Sequence, residues 1–399
     1  MKIVGIIAEY NPFHNGHQYH IEEAIKIAGA DAAIVVMSGD FVQRGTPAIM
    51  PKHIRAEMAL NGGASLVLEL PVPYATGSAE YFAHGAISLL NKLGCVDSIC
   101  FGSECGEIIK LEELAHILSE EPEEYRFLLS SYLKQGNSFP HARQLAIHDY
   151  LNSDSADEIL ASPNNILGIE YLKALYRLHS KMKAYTIRRI SSNYHDQELK
   201  ETYSSASAIR NEIKRDSMDT LLSQVSETNL KLLRNLKNLR YPVYPNDFSL
   251  VLKYKLMQES KESLMKYADV SEELANRILN RLDEYKNLEQ FCDILKTKEL
   301  TYSRISRALL HILLDIKSED YRDITYARVL GFRKSHSGIL TQIKQNASIP
   351  LVTKLTAFPD LEELKLDIKA SNLYESVLTD KYQTAFQSEY TKSIVISHI

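Results

Sequence analysis

Two histidines three residues apart, His14 and His17, lie in a polar turn from Glu9 to His17. An apolar run from Ile3 to Ala8 precedes the turn, and a helix-like stretch from Gln18 to Ala28 follows it. Imidazoles so placed can donate hydrogen bonds to a phosphate, and a strand-to-helix turn adds orphan amides and the positive end of a helix. Attack on an α-phosphate builds negative charge there, so this pattern suits nucleotide activation. Gly16 removes a side chain from the ligand's path. His20 extends the series along the helix. A metal-binding face at His14, His17 and His20, or histidines that only cap and pack, are the alternatives.

Other residues of chemical interest follow later apolar runs. Asp40, after Ser38 and Gly39, could orient a magnesium ion or a substrate amine, or cap a helix or turn. Lys52 and Arg55 open a helix-like segment, facing either a triphosphate or solvent. Tyr194, His195 and Asp196 read as a metal-ligating triplet or a hydrogen-bonded loop. Three basic sets punctuate the second half: Lys231, Arg234, Lys237 and Arg240; Arg304, Arg307 and His311; and Arg328, Arg333, Lys334 and His336. Each alone reads as a solvated face. Together, beside Tyr241, Tyr244 and Tyr326 as stacking platforms, they point to an RNA surface.

The elements that must position these residues alternate in type. Strand-like runs at Ile3 to Ala8, 32 to 37, 66 to 70 and 98 to 101 are separated by helical segments at 18 to 28, 52 to 60 and 79 to 93. That alternation predicts an α/β fold, a doubly wound parallel sheet, whose ligands bind beyond the carboxyl ends of its strands. Helical segments follow from residue 110 to 178, with a strand at 184 to 190. Beyond about residue 215 the pattern turns mostly α-helical, with interruptions at Tyr241 to Pro245 and at 341 to 358. The expected division is therefore residues 1–215 for nucleotide chemistry and 216–399 for a helical domain. With 399 residues, 45% of them hydrophobic, a sizeable core is easily built. No apolar run of membrane-spanning length and no secretory leader is evident, and four cysteines without zinc or disulfide spacing fit a cytoplasmic setting. A net charge of −5 confines any nucleic-acid binding to local patches.

The Asn11 to His17 turn fits the HxGH signature of the nucleotidyltransferase superfamily, shared with class I aminoacyl-tRNA synthetases. With VMSGDFVQRGTPA, LVLELP, FGSE, SPNNILGIEY, RRISSNYHD and SASAIR added, the chain resembles the bacterial tRNA(Met) cytidine acetate ligase family over its first 210 residues. Tyr326 to Phe332 extends the likeness more diffusely. The resemblance implies ATP-dependent activation of acetate as acetyl-adenylate with release of pyrophosphate. Acetyl transfer to N4 of the wobble cytidine of elongator tRNA(Met) would follow, giving N4-acetylcytidine and AMP. It implies that Ile7, Ala8, Glu9, Tyr10, Asn11, Pro12, Phe13, His14, Asn15, Gly16, His17, Gln18, Tyr19 and His20 wrap the nucleotide. Gly102 would lie under adenine or ribose, and Asn164 or Asn165 and Arg189 would add polar contacts. The plainer readings are a helix cap or turn for the asparagines and a surface charge for Arg189. Ser207 and Arg210 resemble the superfamily's second motif, which contacts the triphosphate tail, although its leading Ile-Ser is displaced here. Catalysis would fall to His14, His17 and Asp40, with Mg2+ accompanying ATP. An adenylyltransferase acting on a small phosphorylated metabolite is the rival reading, and an RNA-binding protein without activity a third.

Overall fold

The computed structural model describes residues 1–152, 155–189, 205–215 and 218–398. Strand β1 (Ile3–Ala8) leads into helix α1 (Asn15–Ala28) and strand β2 (Ala32–Ser38). A short hairpin, β3 (Phe41–Val42) and β4 (Thr46–Pro47), precedes helix α2 (Lys52–Asn61) and strand β5 (Leu66–Leu70). Helix α3 (Ala79–Lys92) returns the chain to β6 (Ser98–Ser103). Helix α4 (Pro163–Arg177) then precedes β7 (Lys183–Arg188). Every residue of β2 and β5 is buried, as their unbroken apolar runs require of strands covered on both faces.

The parallel strands run in the order β5-β2-β1-β6-β7. The chain winds outward from β1 in one direction and then in the other, so the crevice of such a sheet falls between β1 and β6. Those two strands pair only at Val4 with Ser98 and Gly5 with Ile99, whereas β1 and β2 pair from Ile3 through Ala8. The gap between β1 and β6 therefore opens toward their carboxyl ends.

After helix α5 (Ala206–Lys214) and helix α6 (Glu227–Leu236) the chain is mostly helical, including α7 (Tyr302–Leu314). It departs from the sequence expectation in two respects: the interruption expected at 341–358 begins inside a helix, Gly338–Asn346, and three strands join the main sheet. Strand β8 (Ala327–Arg333) joins the main sheet antiparallel to β5, with β9 (Leu351–Val352) and, after helix α8 (Leu364–Tyr382), β10 (Val395–Ser397) beside it. Short apolar runs between helices carry no periodicity of their own, and β8 is a strand because the edge of β5 offers it partners. A second core beneath the later helices takes in Phe41 and Val72 from the first half. No helix among the described residues is long and apolar enough to cross a membrane, and all four cysteines are free.

Candidate active site

A cleft of about 290 Å³ lies over the carboxyl ends of β1, β6 and β7. Its floor is Ile7, Ala8 and Glu9 at the end of β1, with Gly102 on β6. One wall is the β1–α1 turn, which contributes Tyr10, Asn11, His14, Gly16, His17, Tyr19 and His20. The opposite side brings Asn164, Arg189, Ser207 and Arg210. Most of the residues expected from sequence thus converge. Pro12, Phe13, Asn15 and Gln18 do not line the cleft. Phe13 packs inward against Tyr10, Asn15 bonds the carbonyl of Ser223 at 3.0 Å, and Gln18 pairs with Glu22 at 2.9 Å.

Helix α1 begins three residues earlier than its apolar periodicity suggests, which makes His14 its N-cap and His17 part of its first turn. The His14 Nδ1 accepts from the Gly16 amide at 3.1 Å, and the His17 Nδ1 accepts from the His14 amide at 3.3 Å. This reciprocal capping assigns the neutral tautomer of both rings, with the proton on Nε2. The other amides expected to meet phosphate are taken by backbone carbonyls: Asn15 N bonds Gln224 O at 2.8 Å and His17 N bonds His14 O at 2.8 Å. Anion binding here consequently rests on the imidazole edges and nearby guanidinium groups. The rings of His14 and His17 stack with centroids 3.7 Å apart, and Tyr10 covers His17 at 4.7 Å.

Burial, then the charges of Arg189 and Arg210, push His14 down to about 3. Burial, His14, Arg189 and His20 hold His17 well below its usual range, and burial with Arg189 takes His20 to about 4. At neutral pH the rings are uncharged donors. An acid sensitivity follows. In the unfolded chain these side chains take protons near pH 6.5, whereas the folded His14 and His20 resist until about 3 and about 4. The unfolded state therefore binds more protons as pH falls below 6.5, and stability declines. Urea midpoints are expected to drop between pH 7 and pH 5, with His20→Gln flattening the decline; a profile identical in the two proteins would contradict this.

Arg210, on α5, donates to the carbonyl of Asn11 at 2.7 Å and to Ser207 Oγ at 2.9 Å, joining the second motif to the first. Ser205 caps α5 through the Ala208 amide at 3.1 Å. A Cβ added at Gly102 would meet Arg189 Cγ at 3.3 Å. Asn164 and Asn165 differ in role. Helix α4 starts at Pro163, and Glu104 caps it by accepting from Asn165 N at 2.8 Å and Asn164 Nδ2 at 2.7 Å. Asn165 is buried and its Oδ1 accepts from the amides of Glu104 and Cys105, so only Asn164 reaches the cleft.

Three expectations change on tertiary grounds. Asp40 does not line the cleft: it is buried, and its Oδ1 accepts from the first amide of α2, Lys52 N, at 2.8 Å. Lys52 is fully buried beside Glu69, at 2.7 Å, and Glu389, at 2.9 Å. Arg55 is buried too, and its guanidinium bonds the carbonyls of Glu9, Ser38, Gly39 and Met50. It ties together the carboxyl ends of β1 and β2 and faces neither a triphosphate nor solvent. Tyr194, His195 and Asp196 lie outside the described residues. Sequence reasoning did not single out Gln43, Arg44 and Thr46, which line the cleft from the β3–β4 hairpin, or Tyr171 on α4. The polar VQRG loop after β2 was the available signal for the hairpin.

The basic sets fare unevenly. Lys231 and Arg234 are exposed on α6, with Lys237 half-buried after it, while Arg240 is taken up by Glu375 at 2.8 and 2.7 Å. Arg307 pairs with Asp269 at 2.8 Å, and His311 is buried between Thr76 and Ala268. Arg328 is buried with Glu69 and Glu389, and Arg333 bonds the carbonyl of Leu60 at 2.8 Å. Tyr241 and Tyr326 are core residues, which leaves Tyr244 as the accessible ring of the three.

Known proteins identify the family and share the fold. A family model described as HIGH Nucleotidyl Transferase matches residues 1–389. A tRNA(Met) cytidine acetate ligase of Clostridium acetobutylicum is 45% identical, the match covering 99% of this chain and 100% of that protein. One from Acetivibrio thermocellus is 42% identical over the same shares. Among solved structures, Thermotoga maritima TmcAL in its apo form matches with a TM-score of 0.94 at 32% identity over 100% of both chains. The same protein bound with alpha-thio ATP matches with a TM-score of 0.91, also at 32% identity and over 100% of both chains.

Proposed function

The chain belongs to the HIGH nucleotidyl transferase family, and on that premise we propose that it is an ATP-dependent ligase that acetylates N4 of the wobble cytidine of elongator tRNA(Met). In the first step an acetate oxygen attacks the α-phosphorus of ATP, the bond to the β-phosphate oxygen breaks, and pyrophosphate leaves. In the second, N4 attacks the acetyl carbonyl and AMP leaves. The cytosine amine is a weak nucleophile because its lone pair is delocalised into the ring, so a mixed anhydride is needed.

The observation that carries this reading is the pair of stacked, neutral imidazoles whose Nε2–H groups are left to the cleft by the capping of α1. His14 and His17 would stabilise charge developing on the α-phosphate. Arg189 and Arg210, with Ser207, would hold the triphosphate, while Gly102 and Asn164 would flank the adenosine. Acetate offers few atoms for binding, so the adenosine portion must hold the intermediate. Magnesium would enter with the triphosphate, whose oxygens and waters supply most of its ligands. Residues 216–399 would grip the tRNA. The relatives reported above, matched along the whole chain, are named tRNA(Met) cytidine acetate ligases and do not favour the rival adenylyltransferase reading.

Incubation with labelled acetate, ATP and unmodified elongator tRNA(Met), followed by digestion to nucleosides, is expected to yield labelled N4-acetylcytidine. An unlabelled cytidine pool with folded protein would sink the proposal. For the RNA surface, replacing Lys231, Arg234 and Lys237 with glutamine should weaken tRNA binding and flatten its salt dependence, by roughly one unit of log–log slope for each phosphate left without its cation. An unchanged slope would move the surface away from α6.

A further inference from the structure

Among the described residues, Glu9 is the one carboxylate lining the cleft. Resting on the ligase reading above, we propose that Glu9 accepts the proton released by the cytidine amine during acetyl transfer. Its position is fixed from two sides. The backbone carbonyl accepts from Arg55 Nη1 at 2.5 Å, and Oε1 accepts from the Gln43 amide at 3.0 Å. Among the described residues Oε2 makes no hydrogen bond, and it is not enclosed as a buried unpartnered atom.

The surroundings connect this residue to the helical half through the β3–β4 hairpin. Gln43 belongs to the β3–β4 hairpin, whose far side packs on α7: Ser306 Oγ donates to Gly45 O at 2.8 Å. A Cβ at Gly45, where φ is +76°, would come within 2.3 Å of Arg307 N, so hairpin and helix are in close contact. Glu9 thus stands on the floor of the cleft, bonded to the β3–β4 hairpin that in turn packs on the helical half. An acetyl group activated beside the histidines and a base presented from the helical half would meet next to it.

Other groups in the cleft are unsuited to take a proton. His14 and His17 spend Nδ1 on the helix cap and present Nε2–H donors. Burial keeps the phenols of Tyr10 and Tyr171 protonated far above neutrality. Protonating His20 would add a cation near Arg189, which with burial already opposes it. Asp40, outside the cleft, is committed to α2. In the proposed step the N4 lone pair forms the C–N bond to the acetyl carbon, and the C–O bond to AMP breaks with its electron pair leaving on the phosphate. One N4 proton moves to Oε2, giving a neutral acid that later returns it to water. A carboxylate is a sufficient base, because an acylating aryl-type amine becomes strongly acidic as the bond forms.

The test separates the two steps in Glu9→Gln, which keeps an oxygen to accept from Gln43 N. Acetate-dependent ATP–pyrophosphate exchange reports the first step. Single-turnover transfer from bound acetyl-adenylate to tRNA reports the second. Transfer is expected to fall about 10²- to 10⁴-fold and at least about tenfold further than exchange. Glu9→Asp, which keeps a carboxylate, should recover part of the transfer rate that Glu9→Gln loses. Exchange and transfer falling in parallel, transfer unchanged, or Glu9→Asp transferring no faster than Glu9→Gln would each overturn the assignment. So would recovery of both steps on adding Mg2+, which would make Glu9 a metal contact. Failure of the wild-type protein to form acetylcytidine at all would instead overturn the ligase reading.

Discussion

Replacing His14 with asparagine or His17 with glutamine is expected to lower acetate-dependent ATP–pyrophosphate exchange by about 10²- to 10³-fold each, the loss seen when one preorganised donor to a developing oxyanion is removed. These substitutions are chosen to spare the fold. Asparagine is a strong N-cap, and glutamine at the third helical position can reach back to the N-cap amide, so the reciprocal bonds now made by the rings are retained. The Nε2–H donors are lost. Because the rings stack and share one cap, the double variant should lose much less than the product of the single effects. Affinity for tRNA should be unchanged and the protein should remain folded, the lost ring contacts lowering the melting temperature by a few degrees. Exchange within tenfold of wild type in either variant would remove that histidine from the first step.

Lys52→Met is expected to destabilise the protein by about 3 to 5 kcal/mol, the cost of leaving buried charge without its partner. Lys52 Nζ lies 2.7 and 2.9 Å from the two carboxylate oxygens of Glu69, 2.9 Å from Glu389 and 2.6 Å from Ser371 Oγ, with no exposed surface. Burial alone would raise the Glu389 carboxyl, yet Lys52, His53 and Arg328 hold it far below the usual range. Without Lys52, Glu69 and Glu389 share mainly Arg328. The cluster joins α2 and β5 to α8 and to the turn before β10, so its loss should loosen the seam between the two halves. Urea unfolding measures the effect, and adding Glu389→Gln to Lys52→Met should recover part of it. A loss below about 1 kcal/mol would show that water or neighbouring groups replace the lysine.

Legibility from the sequence divides along the range of the interactions. Strands β1, β2, β5 and β6 are legible to within a residue or two, because an unbroken apolar run between helical segments has few other uses. His14, Gly16 and His17 are equally plain. Glu104 shows the limit: its role as cap of α4 depends on a helix about sixty residues onward, and Asn164 and Asn165 look interchangeable until that cap separates them. Lys52 and Arg55 read as facing a triphosphate or solvent, and Arg307 and Arg328 as solvated or RNA-facing cations. A charge on a helical or strand segment looks solvated unless its counter-charge is known, and here the partners, such as Glu389 for Lys52 and Asp269 for Arg307, come from remote parts of the chain.

By itself the sequence determined the α/β order of the first hundred residues, the histidine turn and the chemistry that turn can support. These follow from local periodicity and from side-chain types packed into a few adjacent positions. Tertiary structure alone decided that β8, β9 and β10 complete the sheet, that Asp40 serves α2, and that, among the described residues, Glu9 is the carboxylate left in the cleft. Each depends on which distant group supplies a hydrogen bond or a counter-charge once water is excluded, and no local pattern encodes that choice.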